Sequence, residues 1–549
     1  MVRVVGVDVL VIGSGVAGLY AAIETSRHGV DVTLVSKSLL GRGGCSRMAA
    51  VFYSRHLPLT SSELEQDFQR QMQDMGYGLA EKCVMKRIIE SGPEFARELE
   101  QMGIYWRRGL DDKIIIFPHP RYYVFASMHG ETGARIVTCL RDEFLRRGIT
   151  YLEETMVTSL LTYGGEVVGA TALSLSNGEF FVIRAKAVIL ATGHAGGYLW
   201  RYSTATRDVC GDGVAMAYKV GTELIDLEMQ TWHSSDQLWP ESARRLVHQF
   251  IPIYPPIPGG HLLNVKGERL MPSERLTSKD TWVMAVWEQM KKGLTDKREG
   301  IFLSYRHLDE KDLKMLEDHY FIYSTIKKLG YDVPKDLVPV GTSAHTTNGG
   351  IRINELGETS VPRLYAAGGV CGNNFPVMHS GLWGGKVCSK QASNLARNSG
   401  VPKLDWKQIR NEEKRVFNLL RMKTSGGLSP AQIKRKIRNL MWDKMWFVKN
   451  ERDMKEALGE IRKIRREAKR KMGLNSVTKI YNHEWVDALD VFFMLDVSEL
   501  MIAASLMRKE SRGCFQREDY QKTDEENWSK HIVLKLENGS LKAYTVPIG

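Results

Sequence analysis

"VDVLVIGSGVAGLYAAIETSRHGVDVTLVSK", Val7 to Lys37, is the stretch from which the fold is read. The apolar run Val7–Ile12 predicts a strand. Apolar spacing then predicts a helix from about Val16 to Arg27, ended by Gly29, and "VDVTLVS" predicts a second strand. Between strand and helix lie Gly13, Gly15 and Gly18 in the pattern G-x-G-x-x-G. The first glycine permits a tight turn and the second lets a pyrophosphate approach the backbone. The third lets helix and strand pack closely, and the helix N-terminus favours phosphate charge. With both strands and the helix present, the segment reads as a dinucleotide-binding turn. The second strand ends in Ser36-Lys37 rather than in the acid that commonly meets a nicotinamide ribose. A serine hydroxyl can still bind a ribose.

Further along, "VVGATALSLSNGEFFVIRAKAVILATG" places Asn177-Gly178 between two alternating apolar runs, which predicts a hairpin. "AVILATG" then reads as a buried strand ending on glycine. From about Trp239 to Val340 a proline-rich loop and short mixed helices break the pattern, and "VPRLYAAGG" brings back a strand and a glycine turn. From Trp406 amphipathic helices dominate, followed by a hairpin turning at Asn538-Gly539. No internal repeat or low-complexity tract interrupts this order.

The chain has 549 residues, 43% hydrophobic and 26% charged, enough for several domains with a large core. The N-terminal apolar run is too short to span a bilayer and leads into the glycine turn, so it reads as a strand and not as a signal peptide. A cytoplasmic protein is the expectation, held at a membrane only through a partner. The seven cysteines are scattered and never spaced C-x-x-C, which suits neither a cluster nor a disulfide framework. No metal is expected, and an iron–sulfur cluster in the electron path would sit on another chain. The net charge of +12 is uneven: from Trp406 onward there are 30 Lys and Arg against 20 Asp and Glu, leaving 46 against 44 before it. The basic stretches "KRKIRNL" and "EIRKIRREAKRKM" read as a solvated helix face, or as a docking surface for an acidic partner or a membrane subunit, rather than as a nucleic-acid site.

These segments, with "HGETGARIV", "CGDGVAMAYKVGTELIDLEMQTWH", "GGHLLNVKGERLM", "TSAHTTNGGI" and "LMRKESRGCFQREDYQKTDEENWSKH", resemble the flavoprotein subunits of fumarate reductase and succinate dehydrogenase. L-aspartate oxidase and the alpha subunit of adenylylsulfate reductase share that superfamily. The resemblance implies an α/β architecture: a Rossmann-like FAD-binding domain (1–235 and 341–405), an inserted α+β capping domain (236–340) and a C-terminal helical domain with its tail (406–549). It implies FAD at Gly13, Gly15, Ala17 and Gly18, at Ser36 and Lys37, and at Gly43, Gly44 and Ser46. Ala191, Thr192 and Gly193, Asp212, and Gly368 and Gly384 complete that set. It further implies an oxidoreductase that moves electrons between flavin N5 and a small carboxylate or sulfur compound under the cap. The partner it implies is an iron–sulfur or membrane-anchor subunit. Oligomerisation is left open.

Departures from the family sharpen the reading. Succinate dehydrogenases attach FAD through a histidine after the S-K pair. Here "GRGGCSRMAA" has none, so FAD is expected to be noncovalent. The family's "AAGE" glutamate, which meets the ribityl chain, is Gly369. The cap arginine that donates a proton in fumarate reductases is replaced by Lys279 in "LTSKDTW". A lysine donates a proton but cannot fork onto a carboxylate, and a surface lysine is the alternative. His233 and His345 stand where the family places substrate-binding histidines and, with Lys279, form the expected catalytic group. No arginine stands in "VMHSGLWGGK", Val377 to Lys386, where a carboxylate grip would be sought. His379, Ser380 and His129 are the expected substrate contacts there, and Trp383 either covers the flavin or packs. An adenylylsulfate-reductase-like flavoprotein is the alternative reading, and an electron-transfer or scaffold flavoprotein without its own substrate is the alternative of another class.

Overall fold

The computed structural model describes residues 2–49, 52–53, 62–63, 65–66, 69, 76–109, 111–114, 117–118, 123–125, 131–244, 246, 260–271, 279–319, 321–372, 378–422 and 427–549. Its centre is a seven-stranded sheet in the order Thr150–Leu152, Val32–Val35, Arg3–Ile12, Phe180–Leu190, Glu166–Ser174, Thr155–Tyr163, with Leu364–Ala366 also paired to Phe180–Leu190. The strands around Arg3–Ile12 are parallel, and the last two in that order are antiparallel. The first strand starts at Arg3 rather than Val7, because its partner continues the register out to Arg3↔Phe181. The first helix runs Val16–Arg27 as its spacing predicts.

Register decides where a ligand can lie. Ile12 is level with Val35 on one side and Leu190 on the other, and Ala366 is level with Leu190. Four segments therefore leave the sheet along one carboxyl edge: the glycine turn, Ser36-Lys37, Ala191–Gly193 and Ala367-Gly368. That edge is the usual ligand crevice of an open α/β sheet. The helix Met378–Asn398 backs it, and glycines allow the close approach: a Cβ on Gly385 would lie 2.9 Å from the Ala17 carbonyl oxygen.

A second, all-antiparallel sheet has the order Gln230–Gln237, Val338–Thr347, Ile301–Ser304, His261–Leu263. It has its own apolar core, including Leu262, Trp282, Val286, Leu303 and Val340, under the helix Lys279–Lys291. The pairing of Gln230–Gln237 with Val338–Thr347 is irregular on both sides of His233. Such irregularities re-aim side chains.

The C-terminal helices are well specified locally. Asp405, Asn450 and Asn482 cap three of them, and Ser429 with Gln432 forms a capping box on a fourth. In Glu451–Lys471 the buried set Met454, Ala457, Ile461, Ile464, Ala468 has the spacing of one helix face, leaving the basic residues outside. The tail hairpin turns at Asn538-Gly539, both with positive φ (51° and 76°), and pairs Glu537 with Ser540, as a two-residue turn of this type requires. Its first strand, Lys530–Glu537, joins Leu224–Ile225, and thereby stitches the tail to the Rossmann half.

Under that junction lies a buried ion network. The Arg508 side chain is 0% exposed. Its Nε donates to Glu228 Oε1 at 2.7 Å, its Nη1 to Glu510 Oε1 at 2.8 Å, and Asp226 lies 3.6 Å from Nη2. His531 contacts Asp226 and Glu81. Burial alone would lower its pKa, but those two carboxylates outweigh burial and push it up to about 10.

Candidate functional site

A cavity of about 380 Å³ opens at the carboxyl edge of the large sheet. Gly13 shapes it. Its φ is +109°, and a Cβ there would lie 2.4 Å from the Ala191 carbonyl oxygen, so only glycine fits. Gly18 works behind the wall: a Cβ there would reach 1.8 Å from the Gly13 carbonyl oxygen. Gly15 and Ala17 line the cavity itself, as do Gly43, Gly44 and Ser46 of the following loop. Ser46 Oγ accepts from the Val16 N–H at 3.2 Å, at the start of the first helix. The loop is pinned by Asp208, whose Oδ2 accepts from the Gly44 N–H at 2.9 Å. Nothing in the local sequence signals that role for Asp208.

Ser36 and Lys37 both line the cavity. Ser36 Oγ lies 2.7 Å from Ser14 Oγ, which accepts from the Gly41 N–H at 3.1 Å. Lys37 is committed to protein carboxylates. Its Nζ donates to Asp212 at 3.1 Å and to Asp490 at 3.2 Å, and Asp490 is also held by Lys434 at 3.2 Å. Burial disfavours the Lys37 charge, yet the two carboxylates raise its pKa well above the usual lysine value, so it stays an ammonium. For Asp212 burial wins, and its pKa is raised despite Lys37. Ala191, Thr192, Gly193 and Gly368 also line the wall. Thr192 Oγ1 is buried without a hydrogen-bond partner among the described residues. Gly384 does not reach the wall: a Cβ there would sit 3.2 Å from Ala367 Cα, so it lets the helix pack against the 366–368 segment.

Of the expected catalytic residues, His345 and His233 stand together at the cavity, and the Lys279 charge acts on both. His345 lines the cavity, and its Nδ1 lies 2.7 Å from Thr204 Oγ1. The His233 ring packs edge-on against it with centroids 4.2 Å apart. Burial, and then the Lys279 charge, hold both histidines well below the usual imidazole range, so both are neutral at pH 7. Lys279 opens the helix Lys279–Lys291 and is half-buried. One imidazole on the wall was not singled out from sequence: His194, 5% exposed, with Nε2 3.7 Å from Cys45 Sγ.

Three expected substrate contacts fare differently. His379 and Ser380 lie inside the helix Met378–Asn398 and off the wall. The His379 ring is 6.0 Å from that of Phe52, and burial lowers its pKa to about 3. Trp383 is buried in the same helix, and Gly369, in place of the glutamate, lines the cavity. His129 lies outside the described residues. None of the seven cysteines forms a disulfide, and no metal-ligand group of three or more occurs among the described residues. No helix there is long and apolar enough to cross a membrane.

Comparison with known proteins fits this geometry. A family model described as FAD binding domain matches residues 8–381, and one described as fumarate reductase flavoprotein C-term matches residues 434–547. The chain is 31% identical to one of the subunits of the fumarate reductase (CoM/CoB) of Methanothermobacter marburgensis, over 96% of each chain. It is 26% identical to an L-aspartate oxidase of Streptomyces coelicolor, covering 97% of this chain and 92% of that one. The FrdA chain of an E. coli quinol fumarate reductase variant shares the fold, with a TM-score of 0.87 at 24% identity over 100% of this chain and 97% of that chain. Fold and site thus define an FAD-dependent oxidoreductase. Within that class, the chain belongs to the fumarate reductase and succinate dehydrogenase flavoprotein family, with L-aspartate oxidase among its relatives.

The residues present fit the cofactor. Glycine backbone lines the cavity where a pyrophosphate must approach, and the orphaned Thr192 Oγ1 awaits a polar atom. Gly15→Leu is expected to abolish FAD binding, because the added side chain would enter the cavity from a position already 3.2 Å from Ser46 Oγ. Flavin absorbance of the purified variant checks this, and a full complement of flavin would refute it.

Proposed function

We propose that the chain reduces the carbon–carbon double bond of a fumarate-type enoate, with Lys279 as proton donor and His233 and His345 as the groups that orient the substrate. The observation that carries the proposal is the His233–His345 pair at the FAD cavity, with the Lys279 charge acting on both rings. Bound FAD supplies two-electron redox chemistry. The reduction also needs a proton at the second alkene carbon, which Lys279 Nζ holds. Neutral His233 and His345 offer N–H donors to a carboxylate without adding charge, and the Lys279 ammonium attracts the anion. The fumarate reductase activity for which the relative at 31% identity is named supports the same class of substrate. The test is anaerobic: dithionite-reduced protein mixed with fumarate should regain its oxidised flavin spectrum and yield succinate. Persistence of the reduced spectrum with fumarate and related enoates would refute the proposal.

FAD is held without a covalent bond in this reading, since residues 41–50 contain no histidine. Acid precipitation should release all of the flavin, and colour remaining in the pellet would contradict this. The electron partner is a separate iron–sulfur protein, which fits the scattered cysteines and a relative that is itself one component of a multi-chain enzyme. The FAD domain comprises 1–235 and 341–405, the cap 236–340 and the helical domain 406–549. Strands Gln230–Gln237 and Val338–Thr347 run through both cap boundaries, so in this division the cap grows out of strands rooted in the FAD domain.

A further inference from the structure

We propose that His194 is a flavin-contacting residue, its imidazole hydrogen-bonding the bound cofactor beside His345. His194 follows the Ala191–Gly193 segment at the carboxyl edge of the sheet and lines the same cavity as the glycine turn. It is 95% buried, being 5% exposed. One nitrogen is accounted for, since Nε2 lies 3.7 Å from Cys45 Sγ. The other, Nδ1, is buried with no hydrogen-bond partner among the described residues. A buried polar atom without a partner is expensive and rare in native proteins, and the group that belongs in this cavity offers many polar atoms.

Position 369 strengthens the assignment. Gly369 shares this part of the wall, and a Cβ there would lie 3.3 Å from His194 N and 3.6 Å from His194 Cβ. With no side chain at 369, His194 has no neighbouring carboxylate from that position to engage it. Burial lowers the His194 pKa to about 4, so at pH 7 the ring carries one N–H and one lone pair and acts as a hydrogen-bonding group, not as a cation. The inference concerns the cofactor alone and stands whether or not the substrate is an enoate.

The test uses full-length apoprotein titrated with FAD, without substrate. His194→Leu keeps a side chain of similar bulk and removes both nitrogens. His194→Asn keeps a polar atom near the Nδ1 position. His194→Leu should weaken FAD binding about tenfold or more, the size of effect expected for a lost hydrogen bond, and shift the visible flavin bands. His194→Asn should bind within about threefold of the parent protein, the tolerance for a retained bond of altered geometry. The proposal is overturned if His194→Leu binds FAD as the parent does with an unshifted spectrum, or if His194→Asn is as impaired as His194→Leu. Far-UV circular dichroism of the apoproteins checks folding. Should the leucine variant not fold, His194→Ala replaces it under the same criteria.

Discussion

Lys279→Met is expected to lower turnover with fumarate about 10²-fold or more, the usual scale for loss of a general acid. Methionine keeps much of the side-chain volume and removes the transferable proton. Binding should survive, because His233 and His345 remain in place. Their neutrality rests first on burial and only second on the Lys279 charge, so removing that charge leaves them neutral. Substrate-induced changes in the flavin spectrum should therefore persist in the variant. His345→Ala should do the reverse, raising KM with a smaller loss in kcat, because it removes an orienting contact held in place by Thr204. Rapid-reaction measurement of flavin reoxidation separates the two. Parent-like turnover in Lys279→Met would make Lys279 a bystander at the start of its helix.

Arg508→Met should destabilise the fold by about 3–5 kcal/mol, the scale for removing one partner of a buried ion pair. The substitution leaves Asp226, Glu228 and Glu510 buried without the guanidinium that bridges them. It also removes donors to the Trp528 and Lys530 carbonyls at 3.2 and 3.1 Å. Arg508→Lys should recover only part of the loss, since an ammonium cannot serve this fork of acceptors. Urea titration followed by tryptophan fluorescence measures the change. A loss below about 1 kcal/mol, the scale of an exposed pair, would show that the network relaxes around the gap.

What could be read from sequence depended on how local each signal was. The glycine turn was legible because strand, turn and helix lie within Val7–Arg27, and Gly13 carries the positive φ such a turn demands. Both hairpins were legible from Asn-Gly pairs for the same reason. The resemblance implies FAD at Lys37, and Lys37 lines the cavity, but its partner Asp490 is 453 residues away, and no local pattern links them. The Arg508–Glu228 pair, 280 residues apart, is equally silent. His379 and Ser380 were sought as substrate contacts, whereas the glycine-assisted packing of their helix turns them inward. His194 left no trace because a single histidine after a strand has no periodicity or spacing to betray it.

The stitch between Leu224–Ile225 and Lys530–Glu537 sets an order of events during synthesis. Asp226 leaves the ribosome 305 residues ahead of His531, an interval of about 15–60 s at roughly 5–20 residues per second. Leu224–Ile225 lacks both of its neighbouring strands until Gly350–Ile351 is made and one of them until Lys530–Glu537 follows, and for most of the interval the carboxylates of Asp226 and Glu228 have neither His531 nor Arg508 to meet. The nascent Rossmann half must therefore wait, incomplete, for a segment translated long after its own glycine turn.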